Sequence, residues 1–443
     1  MNFPDSFVKK TKDLLGDDYL ELEKALESTP SISIRVNNKM NYVPSEEQVT
    51  WCENGYYLKE RPLFTADPFL HAGIYYVQEA SSMFLSQVVK QHFPDAKTVL
   101  DLCAAPGGKS TLLTQTLPET SLLVSNEIIR SRAYILTENL IKWGNPNVVV
   151  TNNEPTDFDK LPGFFDAIVV DAPCSGEGMF RKDAGAIQEW SEYNVKLCAS
   201  RQREILSNIW DSLKTDGILV YSTCTFNREE NEDNVSWICK ELGADLLRVD
   251  LHGNEDITTT DFGYRFYPHK TKGEGFFITV LQKKSDQNRS LKIKKRDTKE
   301  MKSVSINDFS TISLAKNKNW EIILENNRIT AYDKNRITDY LFLNNHFKCL
   351  NSGLFLGEMK GSDFIPSINI ALSKELDKQS VETVEVDYNT AIAYLKKETI
   401  HLPDSKRGYV LICYKGQSLG WVKNLGNRCN NMYPQEWRIR MNL

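Results

Sequence analysis

The stretch Thr98-Val-Leu-Asp-Leu-Cys-Ala-Ala-Pro-Gly-Gly-Lys-Ser110 decides the fold of this 443-residue chain. An apolar run of strand length passes into a turn of small residues, and the turn opens a helix. Small side chains in the turn let a ligand approach the backbone closely, and the start of the helix offers unpaired N–H groups. The stretch therefore predicts a strand, a ligand-binding loop and a helix of an α/β domain.

Further apolar runs alternate with segments of helix length on the C-terminal side of this stretch. Such alternation predicts a parallel α/β sheet with helices packed on its faces. Two more β-like runs follow, and the loop between them allows the last strand to be antiparallel. Seven strands are expected, at 98–103, 121–125, 147–151, 165–171, 217–222, 245–249 and 275–281.

Length and composition predict several domains in an intracellular protein. A chain of this length exceeds what one core usually organises, while 41% hydrophobic and 26% charged residues are typical of globular proteins. We found no apolar run long enough to span a membrane and no secretion signal, so we expect a cytoplasmic protein. Nine cysteines without a CxxC pair predict reduced thiols and no metal site. With a net charge of −5, any basic surface for nucleic acid must be regional.

Three cofactors use loops of this kind, and the residues separate them. A P-loop NTPase needs glycine where this chain has Cys103, and the nicotinamide fingerprint GxGxxG has no match around Gly107 and Gly108. S-adenosylmethionine has no pyrophosphate but carries a carboxylate, which suits Lys109 and the helix N–H groups. We therefore predict that S-adenosylmethionine is bound by the loop Cys103, Ala104, Ala105, Pro106, Gly107, Gly108 and Lys109.

Acidic residues stand at the ends of the next predicted strands. Glu127 follows the second strand, where a carboxylate can accept both ribose hydroxyls, and Glu154 follows the third, within reach of an adenine amine. Asp171 closes the fourth strand. The carboxyl ends of parallel strands line the crevice in which such sheets bind ligands. The three carboxylates are therefore predicted to belong to the cofactor site.

Two cysteines, Cys174 and Cys224, follow neighbouring predicted strands and so share one edge of the sheet. The C5 carbon of cytosine is a poor nucleophile until a thiolate adds at C6 and forms an enamine. After methyl transfer a base removes the C5 proton and the thiolate is eliminated, while Asp171 is placed to act near N3. The other cysteines are predicted to be small buried side chains. The residues alone leave open which of the two cysteines is the nucleophile.

Three segments resemble the NOL1/NOP2/Sun RNA methyltransferases: Asp-Leu-Cys-Ala-Ala-Pro-Gly-Gly-Lys at 101–109, Asp-Ala-Pro-Cys-Ser-Gly at 171–176 and Ser-Thr-Cys-Thr at 222–225. The resemblance continues at 35–37, 77–82, 200–206 and 229–232, and it covers roughly residues 5–284. Gly-Glu-Gly-Met-Phe-Arg-Lys-Asp at 176–183 and a PUA-like extension are similar to the bacterial RsmF group of this family. The resemblance to this family implies a seven-stranded Rossmann-like class I methyltransferase sheet.

The resemblance also implies a role for each site residue. Cys224 is expected to be the nucleophile, Cys174 to assist breakdown of the covalent adduct, and Asp171 to contact the base. Arg132 joins the residues named above as a cofactor-binding side chain, although an arginine at such a place is also typical of an exposed helix surface. For Lys182 a contact with the base or the RNA and simple exposure are equally expected.

The implied activity is methylation of C5 of a cytidine in the decoding region of 16S rRNA, with free 16S rRNA or the 30S subunit as the partner of a monomeric enzyme. A transfer-RNA cytosine methyltransferase would keep every catalytic residue. A non-catalytic assembly factor and a nicotinamide oxidoreductase are further alternatives. The predicted domains are an N-terminal RNA-binding lead-in at 1–76, a methyltransferase domain at 77–284, a basic linker at 285–302, and a C-terminal region with a mostly β, PUA-like module at 303–443.

Three aromatic residues of the extension, Trp421, Tyr433 and Trp437, have the chemistry to stack on unpaired bases. A core position is the favoured interpretation for each of them taken singly. The basic linker is interpreted first as a solvated connector and second as an RNA contact.

Overall fold

The computed structural model describes residues 2–40, 44–284, 291, 302–303 (backbone only) and 319–441. The predicted basic linker at 285–302 lies outside the described residues, apart from Leu291 and the backbone of Lys302.

The N-terminal part is a small α+β unit. Phe7, Leu22 and Leu26 follow helical spacing and pack in one apolar cluster with Phe180 and Trp190 of the following region. Its sheet is antiparallel, in the order β2-β1-β3. The elements are α1 (Asp5–Leu15), α2 (Tyr19–Glu27), β1 (Ile32–Val36), β2 (Gly55–Leu58), α3 (Pro68–His71) and β3 (Tyr75–Val77).

The central part contains all seven predicted strands, and the apolar runs of its parallel strands are buried on both faces of one sheet. Alternate side chains enter opposite layers: Val99 and Val169 pack on one face, Leu100 and Val170 on the other. The elements are α4 (Leu85–His92), β4 (Thr98–Asp101), α5 (Gly108–Thr116), β5 (Leu122–Asn126), α6 (Arg130–Trp143), β6 (Val148–Thr151), β7 (Phe165–Asp171), α7 (Ala184–Glu189), α8 (Glu192–Ile209), β8 (Leu213–Thr223), α9 (Glu232–Trp237), β9 (Ala244–Leu247), β10 (Thr258–Thr259), β11 (Tyr264–Phe266) and β12 (Phe276–Lys283).

The order of the strands leaves a crevice between β4 and β7 at one end of the sheet. Strands β6, β5, β4, β7 and β8 lie side by side and parallel, and β12 pairs antiparallel with β8, as the sequence predicts. The chain builds outward from β4 through β5 to β6, then returns to the other side of β4 as β7. Ligands bind at such a reversal, beyond the carboxyl ends of the strands. Asp101 and Asp171 end the two strands that flank it.

The C-terminal part contains two small sheets, in the orders β13-β14-β15-β17-β18 and β19-β20-β21-β22. The predicted β-like runs are strands, and Trp421 and Tyr433 are buried, which confirms their core position, whereas Trp437 is half-buried. The elements are β13 (Lys302–Ser303), β14 (Trp320–Glu325), β15 (Arg328–Asp333), α10 (Ile337–His346), β16 (Cys349–Ser352), β17 (Leu354–Lys360), β18 (Asp363–Pro366), α11 (Ile368–Leu372), β19 (Thr383–Glu385), α12 (Tyr388–Leu395), β20 (Gly408–Tyr414), β21 (Gln417–Asn424) and β22 (Cys429–Asn431).

One strand of the C-terminal part belongs to the central sheet. β16 pairs antiparallel with β6 and covers what would otherwise be an open edge. With β10 and β11 at the opposite end, the sheet has ten strands rather than the seven expected. The sequence gives no sign of this pairing, because four half-buried residues carry no clear period of their own.

Candidate active site

The loop between β4 and α5 has the shape that the small residues predict. Gly107 caps α5 with φ +117°, a conformation that L side chains rarely adopt. Two side chains of α6 hold the loop from behind: Arg132 Nη2 donates to Ala105 O at 2.9 Å, and Asn139 Nδ2 donates to Pro106 O at 2.8 Å. Arg132 therefore shapes the loop through its backbone, in addition to any contact with a ligand.

Asp101, at the end of β4, is a buried acid that the sequence interpretation did not single out. It is fully buried, and Ser110 Oγ donates to its Oδ2 at 2.6 Å. Its Oδ1 has no hydrogen-bond partner among the described residues. Burial raises the pKa of this carboxyl to about 7. An unpaired buried oxygen beside the loop suits a ligand that brings a hydrogen-bond donor, such as an ammonium group.

Two of the three predicted acids, Glu127 and Glu154, differ in their burial. Glu127 is buried, its Oε1 accepts from Ile129 N at 2.9 Å, and its Oε2 lies 3.5 Å from Arg132 Nη1. Glu154 is exposed at the start of a short 3₁₀ helix, where Asp157 accepts from its backbone N–H at 3.3 Å. Glu127 thus lines the crevice beside the loop, whereas the predicted contact of Glu154 with adenine stays a prediction.

Lys109 points to Asp171 in this structure. Its Nζ lies 2.8 Å from Asp171 Oδ2, and Ser222 Oγ donates to Asp171 Oδ1 at 2.8 Å. Burial acts to lower the pKa of Lys109, but the carboxylates of Asp171 and Asp101 outweigh it and raise that pKa above its ordinary value. In this structure the partner of Lys109 is therefore Asp171, and its predicted contact with a ligand carboxylate stays a prediction.

Cys174 and Cys224 lie together, as their positions after neighbouring strands predict. Their Sγ atoms are 3.1 Å apart without a disulfide, and Cys224 N donates to Cys174 Sγ at 3.4 Å. The hydrogen bond to Cys224, together with burial, raises the pKa of the Cys174 thiol well above its ordinary value. The Cys174 thiol is therefore protonated at neutral pH, and either sulfur can be the donor in the contact between them. Among the other cysteines, Cys103, Cys239 and Cys349 are only partly buried, against expectation.

Two buried glutamates accept hydrogen bonds from the loops that follow the two cysteines, and neither was predicted from the sequence. Glu230 accepts from Ser175 N at 3.0 Å and from Gln202 Nε2 at 2.7 Å. Glu177 accepts from Phe226 N at 2.7 Å and from Asn227 N at 2.9 Å. The loop after Cys174 is thereby tied to the loop after Cys224. The only sequence signal was their place inside the resembling segments, since acids in such polar runs usually face solvent.

Lys182 belongs to a different cluster. Its Nζ lies 3.3 Å from Glu274 Oε1, which also pairs with Arg181 at 2.8 Å. About a third of the Lys182 side chain is exposed. In this structure its partner is therefore Glu274, and its contact with base or RNA stays a prediction.

The buried Asp101 gives a prediction about stability. The folded protein keeps the Asp101 proton up to a pH of about 7, whereas the unfolded chain releases it near 3.8. The free energy of unfolding should therefore fall as pH rises between these values, by up to ~4 kcal/mol at ~1.4 kcal/mol per pH unit. Asp101→Asn should lack this loss, so its free energy of unfolding in urea should increase relative to that of the wild type as pH rises. Parallel curves would contradict the prediction, and the exposed Asp256→Asn serves as the control.

Comparison with known proteins was made by sequence and by structure. The sequence model of 16S rRNA methyltransferase RsmB/F matches residues 90–282. The model of the N-terminal domain of 16S rRNA methyltransferase RsmF matches residues 3–80, and that of the methyltransferase RsmF PUA domain matches residues 381–439. In the described part of the chain, none of the helices combines the length and apolarity that crossing a membrane requires.

Individual relatives match over most of the chain. It is 31% identical over 409 residues to ribosomal RNA small subunit methyltransferase F of Shewanella piezotolerans, which covers 88% of this chain and 85% of that protein. The protein of the same name from Aliivibrio fischeri is 29% identical over 470 residues, covering 98% and 97%. A solved methyltransferase homologue from Pyrococcus horikoshii aligns with a TM-score of 0.56 and 26% identity, covering 64% of this chain and 96% of that one.

Proposed function

Given that this chain belongs to the ribosomal RNA small subunit methyltransferase F family, we propose that it transfers a methyl group from S-adenosylmethionine to C5 of a cytidine in 16S rRNA. The observation that carries the proposal is the pair of sulfur atoms of Cys174 and Cys224, 3.1 Å apart at the edge of the cofactor crevice. A methyl transfer to oxygen or nitrogen has no use for two adjacent thiols. A transfer to C5 of a pyrimidine needs one as nucleophile.

The crevice residues fit S-adenosylmethionine. Asp101 Oδ1 is an unpaired acceptor for the ammonium of the methionine part, and the N–H groups at the start of α5 suit its carboxylate. Glu127 is held beside the loop by Arg132, in a place that suits the ribose hydroxyls. When bound, the cofactor supplies an electrophilic methyl group. The residues 103–109 with Asp101, Glu127 and Arg132 are therefore proposed to hold it, and Glu154 to reach its adenine.

Cys224 is proposed as the nucleophile. Cys174, whose raised pKa keeps its thiol protonated, is proposed to donate toward Cys224 Sγ when Cys224 acts as the thiolate. The Cys224 thiolate adds to C6 of the cytosine, forming the S–C6 bond while the ring accepts a proton near N3. After C5 has received the methyl group, solvent takes the C5 proton, N3 returns its proton to Asp171, and the S–C6 bond breaks, which releases the thiolate and restores the aromatic ring. Cys174, beside the S–C6 bond, is proposed to assist this elimination.

Asp171 and Lys109 are proposed to manage the proton at N3. The Lys109 ammonium lies 2.8 Å from Asp171 Oδ2, so a proton can be held between them next to the base. Ser222 fixes the other oxygen of Asp171 and leaves the carboxylate with one orientation. The pair supplies the acid that stabilises the adduct.

The test uses 16S rRNA that carries 5-fluorocytidine, in which the missing C5 proton prevents elimination. With S-adenosylmethionine present, the wild type and Cys174→Ser should form a protein–RNA adduct that survives denaturing electrophoresis, whereas Cys224→Ser should form none. Cys239→Ser, at a partly buried cysteine on the helix after β8, is the control. An adduct with Cys224→Ser but not with Cys174→Ser would reverse the two roles, and no adduct with any variant would overturn the covalent mechanism.

The substrate is tested separately from the chemistry. Protein-free 16S rRNA, intact 30S subunits and transfer RNA are offered in parallel, and bisulfite sequencing locates the product. We expect 5-methylcytidine in 16S rRNA, free or assembled, and none in transfer RNA. Methylation of transfer RNA alone would leave the chemistry standing and overturn the proposed substrate.

A further inference from the structure

A cleft with a volume of about 570 Å³ lies where the three parts of the described chain meet. One wall is formed by β3 and the residues before it, a second by α6, and a third by the C-terminal segment 437–441. It adjoins the cofactor loop, because Tyr76 in its wall is 3.4 Å from the place where a Cβ on Gly108 would stand. Asn139, also in the wall, donates to Pro106 O. None of the residues that line the cleft is assigned a chemical step in the proposed mechanism.

Two arginines lie at the edge of this cleft. Arg438 and Arg440 are exposed, and neither forms an ion pair within the described part of the chain. Ile439 between them is buried, and its N–H donates to Leu395 O at 3.1 Å. Arg438 and Arg440 are both among the residues that line the cleft. The segment thus presents two unpaired positive charges from a fixed backbone.

An aromatic surface lies beside these charges. Trp437 is half-buried in the cleft wall, with Lys142 Nζ 5.4 Å from its ring centroid, and Lys142 is neutralised by Glu138 at 2.5 Å. Trp421 and Tyr433, the other aromatic candidates of the sequence, are buried and excluded. The cleft therefore offers one indole face and two free guanidinium groups.

The face of α6 connects the cleft with the cofactor rim. Residues 130, 134, 138 and 142 follow one i, i+4 row of the helix. Tyr134 is 50% exposed, and the Arg130 guanidinium lies 5.7 Å over its ring. The row carries Arg130 and the Tyr134 ring near the rim and the Lys142–Glu138 ion pair near the cleft, so an RNA strand that follows it meets one arginine and one aromatic ring.

We propose that this cleft binds a single-stranded segment of the substrate RNA, with phosphates on Arg438 and Arg440 and one base stacked on Trp437; this rests on the proposed action on RNA. Phosphates of the bound segment interact with the guanidinium pair, and one base stacks on the part of the Trp437 ring that is open to the cleft. The RNA then continues along Arg130 and Tyr134 toward the crevice.

The first test measures equilibrium binding of the full chain to a 20-nucleotide single-stranded oligoribonucleotide and to transcribed 16S rRNA, without cofactor. The Arg438→Ala/Arg440→Ala variant should bind both at least about fivefold more weakly, and the slope of its logarithmic salt dependence should fall by about 1.4, since each of the two single-strand phosphate contacts contributes about 0.7. The matched control, Lys415→Ala/Arg428→Ala, removes two exposed cations of the same module and should stay within about twofold of the wild type. Equal losses in both variants, or none in the first, would overturn the proposal.

The second test concerns the stack. Trp437→Ala should lose about tenfold in affinity, whereas Trp437→Phe should keep most of it, because a phenyl ring still stacks. Retention by Phe also excludes loss of folding as the cause, and equal losses in both variants would overturn the stack. Neither test involves methyl transfer. If the wild type methylates RNA and the cleft variants bind RNA as tightly as the wild type, only the proposed RNA-binding role of the cleft is refuted. If the wild type binds RNA tightly but does not methylate it, only the proposed function is refuted.

Discussion

Cys224→Ser is expected to lower the rate of methyl transfer at least about 10³-fold, because the variant loses the group that is proposed to form the covalent bond to C6. A serine hydroxyl at this place has no base beside it, since its neighbour at 3.1 Å is the protonated thiol of Cys174. The affinity for S-adenosylmethionine should stay within about twofold, because Cys224 makes no contact with loop 103–109 that the proposal uses. Single-turnover kinetics and calorimetry measure the two quantities.

The same substitution should change the chemistry of its neighbour. In the wild type the hydrogen bond to Cys224 raises the pKa of the Cys174 thiol. Removing the sulfur should lower that pKa, so Cys174 of the variant should react faster with iodoacetamide at pH 8. Cys239→Ser, which leaves the pair intact, controls for general changes in thiol reactivity. Full methyl transfer by Cys224→Ser would refute the assignment.

Arg35→Met is expected to lower the melting temperature by several degrees, and the affinity for S-adenosylmethionine about tenfold. Arg35 is buried, with its guanidinium donating to Gln78 at 2.8 Å, to Thr111 at 2.5 Å and to Gln115. It also donates to Gly108 O at 3.3 Å, at the first residue of α5. Burial lowers its pKa to about 10. This one side chain therefore holds the N-terminal sheet against the cofactor loop.

Two effects oppose each other in this variant. Removing a buried charge that has no carboxylate partner is favourable, but it leaves several acceptors unpaired, each at a cost of about 1–3 kcal/mol. With three side-chain acceptors and one carbonyl involved, we expect the loss to dominate. Arg61→Met, at an exposed arginine of the same N-terminal part, is the control. An Arg35→Met protein that melts with the wild type and binds the cofactor equally well would contradict the argument.

The strands and the edge on which the site lies could be predicted from the sequence because both follow from local patterns. Runs of Val, Ile and Leu such as those around Val99 and Val169 are buried on both faces of the sheet, and this pattern is visible residue by residue. Once the strands were placed, the ends of successive parallel strands had to meet. That reasoning brought Cys174, Cys224 and Asp171 together without knowledge of any distance.

Contacts between distant segments could not be predicted in this way. Lys109 and Asp171 pair across the crevice, and Glu230 reaches the Cys174 loop from 55 positions away. A buried carboxylate and a solvated one look alike in a sequence, because burial depends on what packs above them. The choice between the two cysteines is of the same kind: it depends on which thiol donates to the other.

The pairing of β16 with β6 has a consequence for how the molecule selects a target. A module on a flexible tether samples many distances, so it raises local concentration without choosing a position. Here backbone hydrogen bonds join the C-terminal part to the catalytic sheet itself. An RNA held by that part would meet the catalytic thiol at one separation along its path. The nucleotide that is methylated would then be selected by its distance along the RNA from the bound segment, as well as by the identity of its base.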